Sequence, residues 1–107
     1  MRSIPQEIHG FTPVIDDLVN LYGVTTAMVF GRIWRYCQMD AKVCFASQAR
    51  IAKDLHYERE TINRHILILV RDGFLRDVTP DAVGTPHIYA DTGKASIKGK
   101  MTGGIDL

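Results

Sequence analysis

No stretch of this sequence approaches the ~20 consecutive apolar residues that span a bilayer, so a soluble chain with no membrane partner is expected. Charge of one sign is equally missing. Thirteen basic residues stand against twelve acidic ones, a formal net charge of +1, which argues against a grossly polybasic binder. Any electrostatic footprint must therefore be local. Cysteine is scarce, with only Cys37 and Cys44, and residues 1–10 carry Arg2, Pro5, Gln6, Glu7 and His9 where a secretory leader would be apolar. A reducing cytoplasm is the expected compartment. His56, His65 and His87 together with the two cysteines make a ligand inventory, but their spacings match no C-x-x-C or H-x3-H pattern. No metal site is expected, and no cofactor. There is no glycine-rich phosphate loop and no paired nucleophile and base, and the one Gly-Gly lies near the end, so no enzymatic activity is expected. No internal repeat is present either.

What the chain does have is 107 residues of which 46% are apolar, enough for one domain with one core. In FTPVIDDLVNLYG, Thr12 is placed to cap a first helix and Pro13 to occupy its first turn, with Val14, Ile15, Leu18, Val19 and Tyr22 at helical spacing before Gly23. A second helix follows, capped at Thr25 or Thr26, with Ala27, Phe30, Ile33, Trp34 and Cys37 as its apolar stripe. Gly31 within that stripe costs roughly 1 kcal/mol against alanine, which marks it as the site of a close helix crossing. Arg32 and Arg35 fall on the polar flank as solvated charges. VCFAS suits a short strand, and Ser47 is placed to cap a third helix, QARIAKDL, with Ile51, Ala52 and Leu55 inward. After HYE, a fourth helix keeps Ile62, Ile66, Leu69 and Val70 on one face until Gly73 stops it. FLRDVTP and PHIYADT then read as an antiparallel hairpin around the turn-rich TPDAVGTP.

Two short helices joined by a tight turn, the second followed by glycine and a hairpin, form the order of a winged helix-turn-helix. The segment CFASQARIAKDLHYERETINRHILILVRDGFL resembles that family across the turn: the Ile-Ala pair, Leu55, Thr61, Arg64 and Leu69, then Asp-Gly-Phe-Leu leading into the wing. It looks most like the domains of phage and plasmid replication initiators and of small prokaryotic transcription regulators. The resemblance covers about residues 26–90. It implies a mainly α fold with a small β-hairpin wing (α+β): an N-terminal arm at 1–11, a winged-helix domain at 12–92 with its helix-turn-helix at about 47–72 and wing at about 74–91, and a flexible tail at 93–107.

The residues support that reading independently. A fourth helix buried through Ile62, Ile66, Leu69 and Val70 turns Arg59, Glu60, Asn63 and Arg64 outward, with Ile68 and Arg71 farther along. An outward, polar N-terminal turn is the part of a recognition helix that enters the major groove of double-stranded DNA. Arginine suits guanine, asparagine suits adenine, and threonine can touch a thymine methyl or a phosphate. Glu58 or Glu60 is expected to hold a neighbouring arginine in register. Ser47 and Gln48, at a helix N-terminus, suit a backbone phosphate. The expected DNA-binding set is Ser47, Gln48, Lys53, Arg59, Glu60, Thr61, Asn63, Arg64 and Arg76.

Residues 47–76 carry six basic and four acidic side chains, a net of +2, so few phosphate contacts are expected. The wing departs from the family pattern: TPDAVGTP offers Asp81 and no base, leaving Arg76 and His87 as its candidates and Lys94, Lys98 and Lys100 as alternatives in the tail. The first helix can pack on its own core or on a second copy, so a homodimer is an open expectation. Three functions remain: a sequence-specific transcription regulator, a domain of a replication-initiation protein, or a winged-helix protein-interaction module using Leu67 and Ile68.

Overall fold

A computed structural model describes residues 10–39, 42–80 and 87–95. The elements run α1 (Asp16–Tyr22), α2 (Val24–Met39), β1 (Val43–Cys44), α3 (Gln48–Leu55), α4 (Arg59–Arg71), β2 (Leu75–Asp77) and β3 (Tyr89–Asp91). The strands form one antiparallel sheet in the order β1-β3-β2, with Cys44 opposite Tyr89 and Arg76 opposite Ala90. The expected hairpin is thus joined by the VCFAS strand, shortened to Val43 and Cys44, at its outer edge. Four helices with a small sheet in this order make a winged helix.

Helix α2 is the axle, because apolar residues occupy most of its circumference. Val29, Phe30 and Ile33 are fully buried and Trp34 and Cys37 nearly so, packed against Ile51 of α3, Ile62, Ile66 and Leu69 of α4, and Leu75 and Tyr89 of the sheet. Polar contacts then fix the angle between the helices. Thr26 Oγ1 lies 2.7 Å from His65 Nδ1, and the Tyr36 hydroxyl donates to Asp54 at 2.5 Å. His65 is accordingly a satisfied residue at the edge of the core, as its position beside Ile62 suggests. Burial, and next the neighbouring Arg64, push its pKa below the usual histidine value.

Several expectations at the first two helices are corrected. Helix α1 begins at Asp16, its N-cap is Ile15 without a side-chain cap bond, and Thr12 and Pro13 lie in the extended segment before it. The reason is packing: Pro13 lies across Gly31 of α2, where a Cβ would sit 1.8 Å from the Pro13 carbonyl oxygen. Gly31 therefore marks a close approach of a loop backbone to a helix, not of two helices. Helix α2 begins at Val24, ahead of both threonines proposed as its cap. Arg32 and Arg35 are not solvated charges, since both are half-buried. Arg35 donates to the Phe11 carbonyl at 2.9 Å and stacks 4.2 Å above the Phe11 ring, while the Nε of Arg32 is buried. Leu18 of α1 is buried against the domain's own core, while Val14 and Leu21 stay exposed.

At the other end of the domain, α4 closes with paired bonds from Gly73 N to the Val70 carbonyl (3.1 Å) and from Phe74 N to the Leu69 carbonyl (2.9 Å), Gly73 taking φ 84°. Three segments meet there. The Tyr22 hydroxyl donates to Asp72, Arg71 pairs with the same carboxylate at 2.9 Å, and Lys94 Nζ donates to the Asp72 carbonyl at 2.6 Å. Residues 93–95 of the expected tail lie among the described residues, and 96–107 lie outside them. Lys94 also covers the Phe74 ring and Ala95 packs on the core. Lys94 is thus committed to the fold, whereas Lys98 and Lys100 lie outside the described residues, as do residues 1–9 of the arm and the wing tip at 81–86.

Candidate nucleic-acid interface

The candidate surface is built by two helix ends and a strand. Ser47 caps α3, its Oγ accepting from Arg50 N at 3.0 Å, so α3 starts where the sequence places it. About two turns later α3 ends at His56, which takes the left-handed conformation (φ 62°, ψ 43°) and allows Tyr57 N to bond the Ala52 carbonyl at 2.9 Å. Glycine usually fills such a position, and histidine does so less often. The tight turn brings Glu58 to the N-cap of α4 with no side-chain cap bond. Arg59 thus opens the helix, and Ile62, Ile66 and Leu69 anchor it from behind.

With its inner face fixed, α4 presents Arg59, Glu60 and Arg64 exposed and Thr61 and Asn63 half-exposed. An open cleft lies beside them, lined by Gln48, Arg59, Glu60, Asn63 and His87. Four of the nine expected residues thus share one cleft wall with a residue of the wing. Arg64 reaches back to Thr61 Oγ1 at 3.3 Å on the same helix. The expected pairing of Glu58 or Glu60 with an arginine does not form among the described residues, where the ion pairs are Arg50–Asp54, Arg71–Asp72 and His87–Asp77. Glu60 stands four residues before Arg64, the spacing at which such a pair can form, but Arg64 donates to Thr61 Oγ1 instead.

Gln48 is also used differently than expected. Its Nε2 donates to Asn63 Oδ1 at 3.0 Å and to the Tyr89 hydroxyl at 3.1 Å, so the amide faces α4 and the sheet. Tyr89 is the residue sequence reasoning missed; it reads as an ordinary inward strand position. Lys53 is exposed on the last turn of α3 and Arg76 on β2, and neither lines the cleft. His87, noted only as a wing candidate, stands at the cleft with its Nδ1 2.8 Å from Asp77 and its ring stacked on Tyr89. Hydrogen bonds from Thr79 and the contact with His87 hold the Asp77 carboxyl below its ordinary pKa, although its partial burial acts the other way and is the largest single influence.

Residues 23–75 match the family model of a helix-turn-helix domain. This segment is a helix-turn-helix domain. The match runs from the start of α2 through α3, the His56 turn and α4 into β2, and leaves α1 and β3 outside. No curated protein and no solved structure matches the chain. A helix-turn-helix domain is an architecture of DNA binding, and the second helix of the motif is here α4. Among the described residues no helix is long and apolar enough to cross a membrane, and no cluster of three or more His, Cys, Asp or Glu is placed to hold a metal ion. The thiols of Cys37 and Cys44 are both buried, and burial pushes that of Cys44 up to about 12.

Proposed function

We propose that this protein binds double-stranded DNA sequence-specifically, with the N-terminal turns of α4 in the major groove. The observation that carries the reading is the state of Arg59 and Arg64: both are exposed on the leading turns of the second helix, with no carboxylate partner among the described residues. Unpaired guanidinium groups at that position suit guanine edges or phosphates. Thr61 and Asn63 add base-edge or backbone contacts, Arg76 approaches the backbone from the wing side, and Ser47 and Lys53 flank the duplex on α3. Gln48 acts from behind Asn63. The role assigned, on the resemblance of its helix-turn-helix segment to small regulators, is regulation of transcription in a prokaryote, phage or mobile element. The same fold also serves replication initiation, and the cleft geometry supports that alternative equally. No catalytic role is assigned.

Selection of bound duplexes from a random pool tests the reading. A short enriched motif is expected, and recovered fragments without any common sequence would exclude sequence-specific recognition. One observation favours a protein-interaction module instead: Leu67 on α4 is 57% exposed, although its neighbour Ile68 is partly buried. That module would retain no DNA in the same selection.

A further inference from the structure

Asparagine ordinarily pairs with adenine through both ends of its amide, the oxygen accepting from N6 and the nitrogen donating to N7. In this protein one end is occupied. Asn63 Oδ1 accepts from Gln48 Nε2 at 3.0 Å, and the second hydrogen of that nitrogen is directed to the Tyr89 hydroxyl at 3.1 Å. Both donors of Gln48 are therefore used, one on each side of the helix-turn-helix. Tyr89 is 3% exposed and paired in the centre of the sheet, opposite Cys44 on one side and Asp77 on the other, so its hydroxyl is a fixed point. The chain Tyr89–Gln48–Asn63 thus runs from the wing strand, through the first turn of α3, to the cleft face of α4.

We infer that Gln48, anchored by Tyr89, is a positioning residue that turns the Asn63 oxygen inward and leaves Asn63 to read base acceptors, guanine in preference to adenine. The inference rests on the DNA-binding reading above. With Oδ1 turned to Gln48 and one of its lone pairs engaged there, Asn63 leads toward the cleft with the hydrogens of Nδ2. Guanine presents two acceptors there, N7 and O6, and no donor, whereas adenine presents its N6 amino group beside N7. An amide that leads with its Nδ2 hydrogens meets both guanine acceptors without conflict, whereas the adenine N6 amino group then stands opposite a donor instead of the oxygen it ordinarily pairs with. The relay run in the opposite sense, with Asn63 Nδ2 donating to Gln48 Oε1, would expose the oxygen and favour base donors. The two senses therefore make opposite predictions about the same base.

The test is selection from a random duplex pool with the full chain and three variants. Asn63→Ala identifies the motif position that Asn63 reads, as the one position whose preference disappears. At that position the wild type is expected to choose guanine over adenine by on the order of tenfold. Gln48→Ala frees the amide oxygen and is expected to move the choice to adenine at that position alone, a change that a merely structural tether would not produce. Tyr89→Phe keeps the ring in the core and is expected to shift the choice the same way by a smaller factor, with cooperative thermal unfolding confirming the fold of each variant. A wild-type preference for adenine or cytosine at the Asn63 position overturns the inference while leaving DNA binding intact, as does an unchanged guanine preference in both Gln48→Ala and Tyr89→Phe. Absence of any motif in the wild type overturns the inference and the DNA reading together.

Discussion

Helices α2 and α4 are the two longest among the described residues, and Arg35 of the first and Arg59 and Arg64 of the second are used in opposite ways. On α2, Arg35 is spent on the fold, donating to the Phe11 carbonyl and covering its ring. On α4, Arg59 and Arg64 have no carboxylate partner among the described residues and stand at the open cleft or beside it. The residue type is the same, but Arg35 is half-buried and Arg59 and Arg64 are exposed. The difference lies in what the rest of the chain lays over the helix: the 10–15 segment crosses α2, whereas nothing among the described residues crosses the leading turns of α4. An arginine left without a partner by its own chain is available to one from outside.

The largest effect follows from filling the space under that crossing segment. A Cβ at Gly31 would meet the Pro13 carbonyl oxygen at 1.8 Å, and a backbone atom cannot step aside as a side-chain tip can. Gly31→Ala is expected to lower stability by about 3 kcal/mol or more, read as a fall of about 10 °C or more in the thermal midpoint. An unchanged midpoint would show that the 10–15 segment does not sit on α2. Next in size are the arginines of α4. Arg59→Ala and Arg64→Ala should each weaken binding to a selected duplex by about 1–3 kcal/mol while leaving thermal unfolding within about 0.5 kcal/mol of wild type.

Arg35→Ala is the converse of those substitutions. It removes a charged hydrogen bond and a cation–π contact at a half-buried site, so a stability loss of about 1 kcal/mol is expected in denaturant titrations. DNA affinity of the folded variant should not change. The smallest effect concerns the far end of α4, where Arg71 first, and then the Tyr22 hydroxyl, hold the Asp72 carboxyl down to about 2. A carboxylate with a depressed folded-state pKa stabilises the fold above its unfolded value of about 3.9 and loses that contribution as pH falls through the folded value. Between roughly pH 4 and pH 2, Asp72→Asn should therefore flatten part of the acid-unfolding limb, with little change near neutrality.

Much of this comparison was legible in the residues. Helix α3 spans QARIAKDL as expected, because the serine cap and the Ile51/Ala52 pair are local signals that the fold does not override. The inward face of α4 was equally plain from its spacing. Illegible were the features made by pairs distant in sequence: Pro13 on Gly31, Phe11 under Arg35, and Gln48 between Asn63 and Tyr89. The left-handed turn at His56 hid for a different reason, since no glycine announced it. Within the interface, the side chains were readable but their partners were not. Glu58 and Glu60 looked like companions for the arginines, and the structure leaves them apart.

The central claim is that Arg59 and Arg64 of α4 serve a nucleic acid and Arg35 of α2 serves the fold. The most direct measurement is the salt dependence of binding to one selected duplex by the wild type, Arg59→Ala, Arg64→Ala and Arg35→Ala, plotted as log affinity against log salt. The α4 variants are expected to bind more weakly, the slope falling by about one for each phosphate contact removed, while Arg35→Ala superimposes on the wild type. If the α4 variants superimpose on the wild type and Arg35→Ala does not, the assignment of the two helices is reversed.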